Sequence, residues 1–246
     1  MVKIGIFGAC GKMGMKIAAL SLNDKNIKIA AAIEKADHPM LGTDINRLLG
    51  CRHTGIRVSS DADRELKKTD CAIDFTLPCP TIEHLKYCLK SRIPMVIGTT
   101  GFSAAQERYI KESSKKIAIV FSPNMSIGVN VLFSLIKEAS RVLAGDFLIK
   151  VDETHHVHKK DSPSGTAKMI TRIIKETSGK NIPVKAFRKG EVVGNHGITY
   201  ESDFETLEIR HDAKSRDVFA AGALKAAEFV ANRKKGLYTM YDVLGL

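Results

Sequence analysis

Residues 2–34 restrict the possible folds of this chain more than any other segment. Val2–Phe7 alternates like a buried strand and runs into Gly8-Ala9-Cys10-Gly11-Lys12-Met13-Gly14, after which Lys12–Leu22 reads as a helix. Ile27–Ile33 is a second apolar run, and Glu34 stands at its end. Strand, glycine turn, helix, strand and acidic residue within about 30 residues is the layout of a dinucleotide-binding βαβ unit. Small residues let the backbone approach a pyrophosphate, whose charge then meets the amides that open the helix. Gly8, Ala9, Cys10, Gly11, Lys12 and Met13 are the candidate contacts. Glu34, about 20 residues past the last glycine, is placed to accept hydrogen bonds from the adenosine ribose. A glycine cluster by itself could be a tight turn that packs helix on sheet; the flanking periods and the acidic residue in register favour the nucleotide. The spacing is Gly-x-x-Gly-x-x-Gly rather than Gly-x-Gly-x-x-Gly. Glu34 would repel the 2′-phosphate of NADP and Lys35 beside it would offset that repulsion, so the chain is expected to use both NADH and NADPH.

The same alternation continues downstream. His38–Thr54 lacks a clean period and reads as loop with a short helix. Cys71–Phe75 reads as a strand and Pro80–Leu89 as a helix. Met95–Ile97 is a strand that runs into Gly98-Thr99-Thr100-Gly101, and Ser103 with Gln106 forms a capping box for a helix to about Ser114. Ile117–Phe121 then leads into Ser122-Pro123-Asn124-Met125. Strands alternating with helices imply a parallel sheet, whose ligands gather at the carboxyl ends of its strands. Gly98, Thr99 and Thr100, and Ser122 to Met125, sit at such ends; they are candidate cofactor contacts, or else ordinary turns. Val129–Leu143 is amphipathic, and beyond it the pattern changes to short strands (Phe147–Val151, Val184–Phe187, Ile198–Ser202, Thr206–His211) with helices at Thr166–Thr177 and from Ala220 to about Arg233. A domain boundary is expected near Asn124.

With 246 residues, 44% apolar and 26% charged, the chain suits one large domain or two modest ones. Five cysteines without a Cys-x-x-Cys point to reduced thiols, and Met1 runs straight into a strand pattern without the segments of a signal peptide, so a cytoplasmic location is expected. No apolar run has the length of a membrane span. A net charge of +11 would suit nucleic acid if it were clustered, but the lysines are dispersed and aromatics make up only 6%. A basic surface facing small anions is the simpler reading.

The densest chemistry lies between Val151 and Met169, where His155, His156 and His158 precede Lys159, Lys160, Asp161 and a Ser162-Pro163-Ser164-Gly165-Thr166 turn. As metal ligands the histidines would need a nearby carboxylate or cysteine, and Asp161 alone is at hand. As core histidines they would be flanked by apolar residues rather than by lysines. As acid–base and anion-binding groups they fit: histidine readily donates a proton near neutral pH, Lys159 can hold a carboxylate, and Gly165 and Thr166 supply amides at a helix start.

Glu-x-His-His-x-x-Lys-x-Asp-x-Pro-Ser-Gly-Thr-Ala, with Gly-x-x-Gly-x-Met-Gly, Ile-Gly-Thr-Thr-Gly and Val-Gly-x-His elsewhere, resembles the 4-hydroxy-tetrahydrodipicolinate reductase (dihydrodipicolinate reductase) family from Val2 to Leu244. The resemblance implies an α/β chain with a Rossmann-type parallel-sheet domain (1–124 with 216–246) and a smaller α+β substrate and oligomerisation domain (125–215) on an open mixed sheet. It implies a homotetramer that reduces a cyclic dicarboxylate on the diaminopimelate route to lysine with NADH or NADPH, and no metal. It assigns His155 as proton donor and acceptor and Lys159 as the second catalytic residue. His156 becomes a substrate contact, and Gly165 with Thr166 the carboxylate-holding pair. Gly8 to Met13, Glu34, Gly98 to Thr100 and Ser122 to Met125 match cofactor contacts, and Lys35 falls where many relatives carry Arg. The nicotinamide and the histidine segment are expected to meet on domain closure, with the last helix and Tyr241–Leu246 folding back on the cofactor domain. The chain reads as shorter than many relatives between Thr177 and Ile182.

Overall fold

The computed structural model describes residues 1–51 and 55–246. In chain order the elements are β1 (Val2–Phe7), α1 (Lys12–Ser21), β2 (Ile27–Ile33), α2 (Ile45–Leu48), β3 (Val58–Ser59), α3 (Ala62–Leu66) and β4 (Cys71–Asp74). Then come α4 (Pro78–Ser91), β5 (Met95–Ile97), α5 (Ala104–Ser113), β6 (Ala118–Phe121), α6 (Ile127–Leu143), β7 (Leu148–His155) and α7 (Gly165–Ser178). The last are β8 (Val184–Arg188), β9 (Gly194–Glu201), β10 (Thr206–Ala213), α8 (Asp217–Val230), β11 (Gly236–Tyr238) and α9 (Met240–Leu244). Two compact units result, residues 1–125 with 219–245, and residues 126–218.

The first unit is a seven-stranded sheet in the order β11-β6-β5-β4-β1-β2-β3, with every pairing parallel. Its central strands are apolar on both faces (Ile4, Ile6, Ala72, Ile73, Val96 and Ile97 are all fully buried) because helices cover both sides. Chain order reverses between β1 and β4, so a crevice opens there at the carboxyl edge, the usual ligand site of an open parallel sheet. The capping box of α5 forms as expected: Ser103 Oγ accepts from the Gln106 amide, and the Gln106 side chain accepts from the Ser103 amide. In α4 the helix begins at Pro78, where a missing N–H costs nothing. The stretch expected as loop with a short helix contains α2, and its end at residues 52–54 lies outside the described residues. Four features have no counterpart in the sequence reading, namely β3, α3, β11 and α9. Each is five residues or shorter, too short for a period; β11 exists because its backbone adds to the open edge of β6.

The second unit is a four-stranded mixed sheet, β10-β9-β7-β8, with β8 parallel to β7 and the other pairs antiparallel. Ile149 and Val151 of β7 and Ile198 and Tyr200 of β9 face the helices, and the Tyr200 hydroxyl bonds Ser140 of α6 at 2.8 Å. The alternate residues Leu148, Lys150, Asp152 and Thr154 lie on the open face. The expected strand Phe147–Val151 needs correction: it continues to His155, because inward alternation persists through Glu153 and His155 even though these residues are polar.

Candidate functional site

In the first unit the candidate residues cluster at the carboxyl edge of the parallel sheet. Gly8 adopts φ +65, a conformation open to glycine, and its N–H and that of Ala9 donate to the Ile33 carbonyl. The chain then turns through Gly11, whose N–H donates to the Gly8 carbonyl at 2.9 Å, into α1. A Cβ on Gly14 would come within 2.1 Å of the Gly8 carbonyl oxygen, so helix and turn touch backbone to backbone. Lys12 and Met13 open α1, where amides lack an intrahelical acceptor and the dipole favours an anion. This cradle, which a side chain would fill, fits a pyrophosphate. Glu34 does more than the sequence suggested. Its carboxylate accepts from the Cys10 amide at 2.9 Å and from the Lys35 amide at 3.3 Å, tying the end of β2 to the turn. The Lys35 ammonium bonds Asp37 at 3.1 Å on the surface. Burial, and then Glu34, push the Cys10 thiol up to about 11, so it stays a thiol.

Gly98, Thr99 and Thr100 follow β5, and Ser122 to Met125 follow β6, at the same edge. The Ser122 hydroxyl donates to the Asn124 carbonyl at 3.1 Å. Sequence reasoning missed the group that organises this edge. Asp74, fully buried at the end of β4, accepts from the Thr76 amide (2.8 Å) and the hydroxyls of Thr76, Thr81 and Thr99. Its other oxygen lies 2.6 Å from His84 Nδ1, and the His84 ring stacks on Phe7. The Phe75 ring rests on Gly98, where a Cβ would approach to 2.1 Å. The signal was present: Asp74-Phe75-Thr76 ends a strand at a carboxyl edge, where ligands and their supports collect.

In the second unit the three histidines part company. His155 is the last residue of β7 and 7% exposed; His156 is half-buried; the His158 side chain is 75% exposed beside Glu191. His155 Nδ1 bonds the Glu153 carboxylate, which is wholly buried and also accepts from the Ser164 amide (3.2 Å) and Arg188 Nη1 (3.1 Å). His196 meets the His155 ring edge-on at 5.2 Å, and its Nε2 lies 3.3 Å from the Ser164 hydroxyl. Ser164 also caps α7 through the Ala167 amide, placing Gly165 and Thr166 in the helix's first turn. Lys159 bonds Asp161 at 2.8 Å. Burial lowers His155 below the usual imidazole value, Glu153 opposes that, and Lys159 and Arg188 add to it. Burial drives His196 down to about 4, so it is neutral at physiological pH.

The carboxylate on His155 Nδ1 is therefore Glu153; Glu153, Ser164 and His196 stand in the motifs that carry the resemblance, but neither they nor Arg188 were given a role from the sequence. Strand alternation could have found the first, since residues two apart share a face. Glu153, His155 and His196 bring ligand atoms within 4.8 Å of one another, a spacing open to a cation. Arg188 on the same carboxylate already supplies the positive charge there, which favours acid–base work over metal binding. Among the described residues no helix is long and apolar enough to cross a membrane.

The family described as "Dihydrodipicolinate reductase, N-terminus" matches residues 2–125, and "Dihydrodipicolinate reductase, C-terminus" matches residues 128–244. The chain is 41% identical over 266 aligned positions to 4-hydroxy-tetrahydrodipicolinate reductase of Nitrosomonas eutropha, covering 100% of this chain and 99% of that one. The homologue of the same name from Syntrophotalea carbinolica is 37% identical, with both chains covered completely. In fold it is similar to dipicolinate-bound dihydrodipicolinate reductase from Paenisporosarcina sp. TG-14, with a TM-score of 0.82 at 23% identity over 98% of each chain. Both halves of the sequence, and its relatives end to end, lead to one conclusion: the chain belongs to the dihydrodipicolinate reductase family.

Proposed function

We propose that this chain reduces 4-hydroxy-tetrahydrodipicolinate to tetrahydrodipicolinate with NADH or NADPH, on the diaminopimelate route to lysine, with His155 as its proton donor. The observation that carries the residue assignment is the buried Glu153–His155 pair. With Nδ1 committed to Glu153, the imidazole has Nε2 left for a substrate, and a Cβ added at Gly194 would stand 3.0 Å from that atom. Glycine at 194 therefore keeps the working nitrogen approachable. Lys159, steadied by Asp161, contributes a cation for a substrate carboxylate and a second proton source. The Gly165 and Thr166 amides at the start of α7, with His156, hold a carboxylate by charge and hydrogen bonding.

Residues 1–124 with 216–246 serve as the dinucleotide domain and 125–215 as the substrate domain in this reading. Bound NAD(P)H supplies the hydride. Gly8 to Met13 take its pyrophosphate, Glu34 and Lys35 its adenosine ribose, and Gly98 to Thr100 with Ser122 to Met125 the nicotinamide end. The open face of the β10-β9-β7-β8 sheet, bearing Leu148 and Phe187 at 59% and 52% exposure, suits self-association into a homotetramer. The enzyme works in the cytoplasm, apart from nucleic acid and membrane.

The test is NAD(P)H oxidation with substrate generated in situ by dihydrodipicolinate synthase. Removing a positioned general acid costs about 10²- to 10⁴-fold, so His155→Gln should lower kcat on that scale while nucleotide affinity stays put. Unchanged turnover in this variant would falsify the assignment.

A further inference from the structure

We infer that Glu153 and Arg188 are positioning residues that form a charge couple behind His155, fixing which ring nitrogen faces the substrate and setting the pH range over which the imidazole can donate. The inference rests on the reading of His155 as proton donor.

Folding alone gives no reason for a carboxylate here. Glu153 points to the helix side of the sheet in line with Ile149 and Val151, and it is wholly buried. An aliphatic side chain would extend that row, whereas a buried carboxylate is costly unless every oxygen finds a partner. The structure supplies the partners. One oxygen takes His155 Nδ1; the other takes Arg188 Nη1 at 3.1 Å and the Ser164 amide at 3.2 Å. Arg188 sits across from His155 in the β7–β8 register. It is held in place by the Asp161 carbonyl at 2.6 Å and its neighbour's carbonyl at 2.7 Å. The guanidinium thus balances the carboxylate without touching the imidazole nitrogen that works.

The charged and titratable groups named around His155 lie on its own strand, the segment that follows it and the other three strands of the sheet. Glu153 shares its strand, Lys159 and Asp161 lie on the following segment, Arg188 is on β8 and His196 on β9, and His211 on β10 stands behind His196 at 6.5 Å. Burial lowers His155; Glu153 raises it through charge and hydrogen bond; Lys159 and Arg188 lower it. His196 is neutral and adds no charge. Two members of the couple therefore push the imidazole in opposite directions, a signature that loss of packing does not produce.

The experiment compares Glu153→Gln, Arg188→Met and Arg188→Lys with the parent protein. It measures the pH profile of kcat and an NMR titration of the His155 imidazole, assigned by its disappearance in His155→Gln. Circular dichroism selects folded variants. Glutamine keeps the shape and drops the charge, so the alkaline limb of kcat and the NMR midpoint should both move to lower pH. Turnover at pH 8 should fall by about tenfold, the change in protonated fraction that a one-unit downward shift makes above the midpoint. Arg188→Met should move both to higher pH, and Arg188→Lys should return them to the parent position. Limbs that shift the same way in the Gln and Met variants, or that do not move in folded protein, overturn the couple. Full turnover in His155→Gln would instead remove the reading beneath it, so the two failures are distinguishable.

Discussion

The carbonyl oxygen of Met125 lies directly against Gly222: a Cβ added there would be 1.7 Å from it. Helix α8, nearly a hundred residues later in the chain, thus supports the Ser122–Met125 turn by backbone contact. Gly222→Ala must move either the turn or the helix, and neither is a flexible side chain. Overpacking of this kind costs about 3 kcal/mol. Urea unfolding should show that loss, and NADH titration by fluorescence should show weaker binding, because the displaced turn is one of the proposed nicotinamide contacts. Parent-like stability in this variant would mean that the contact is slack.

Cofactor choice should follow the charges around the adenosine ribose. Glu34 is held on the Cys10 amide and Lys35 is paired with Asp37, so neither sign dominates and both nucleotides should be used. Lys35→Ala should weaken NADPH and spare NADH, while Glu34→Gln should favour NADPH and also loosen the turn that its carboxylate ties. Exposed charge pairs are worth about 1 kcal/mol or less, so each shift should be several-fold rather than absolute. Steady-state KM values for the two nucleotides decide the matter; a parent preference beyond about a hundredfold, equivalent to about 2.7 kcal/mol, contradicts this balance.

Gly194 lies against Nε2 of His155, the nitrogen proposed to serve the substrate. Its backbone is not in the left-handed region, so Gly194→Ala is conformationally permitted and its Cβ meets Nε2 at 3.0 Å. The ring must retreat by a few tenths of an ångström. Misplacement of a reacting group by about 1 Å can cost about 10²-fold, so kcat should fall by about tenfold. The melting temperature should hardly move. A large loss of stability with normal kcat in the surviving protein would show that the glycine serves packing instead.

What the sequence revealed depended on how local its signals were. The glycine turn, the capping box at Ser103 and Gln106, and the apolar strands β1, β2 and β5 are written in neighbouring residues, so periodicity finds them. His155 and Lys159 stood out because polar chemistry was concentrated around them. Glu153 was harder to see: it was hidden by an expected strand end at Val151, although its alternation with His155 puts both on one face. Arg188 meets Glu153 across 35 residues of chain, His196 meets Ser164 across 32 and Gly222 meets Met125 across 97, through sheet register and helix packing. His196 stands in the Val-Gly-x-His motif, but nothing local says which groups such residues meet. Asp74 lies between these cases, at a recognisable strand end but meaningful only once Thr81, His84 and Thr99 have gathered on it.

Histidines whose charged form burial penalises also predict how the protein responds to acid. His196 sits at about 4 in the fold because burial penalises its charged form, and burial lowers His155 and His211 as well. Unfolding returns each ring to water and a value of about 6.5, so the unfolded chain binds protons more readily than the folded one. A lowered histidine costs nothing above about pH 7; it subtracts stability as pH falls below about 6.5, and the loss is complete below the folded value. For His196 the gap is about 2.5 units at about 1.4 kcal/mol per unit, or about 3.5 kcal/mol as an upper figure. The melting temperature should therefore drop steadily from pH 7 to pH 4.5. His196→Gln should be less stable at pH 7, where the Ser164 contact is lost, yet should show a shallower fall toward acid. An acid slope as steep as the parent's would place the proton uptake on other groups.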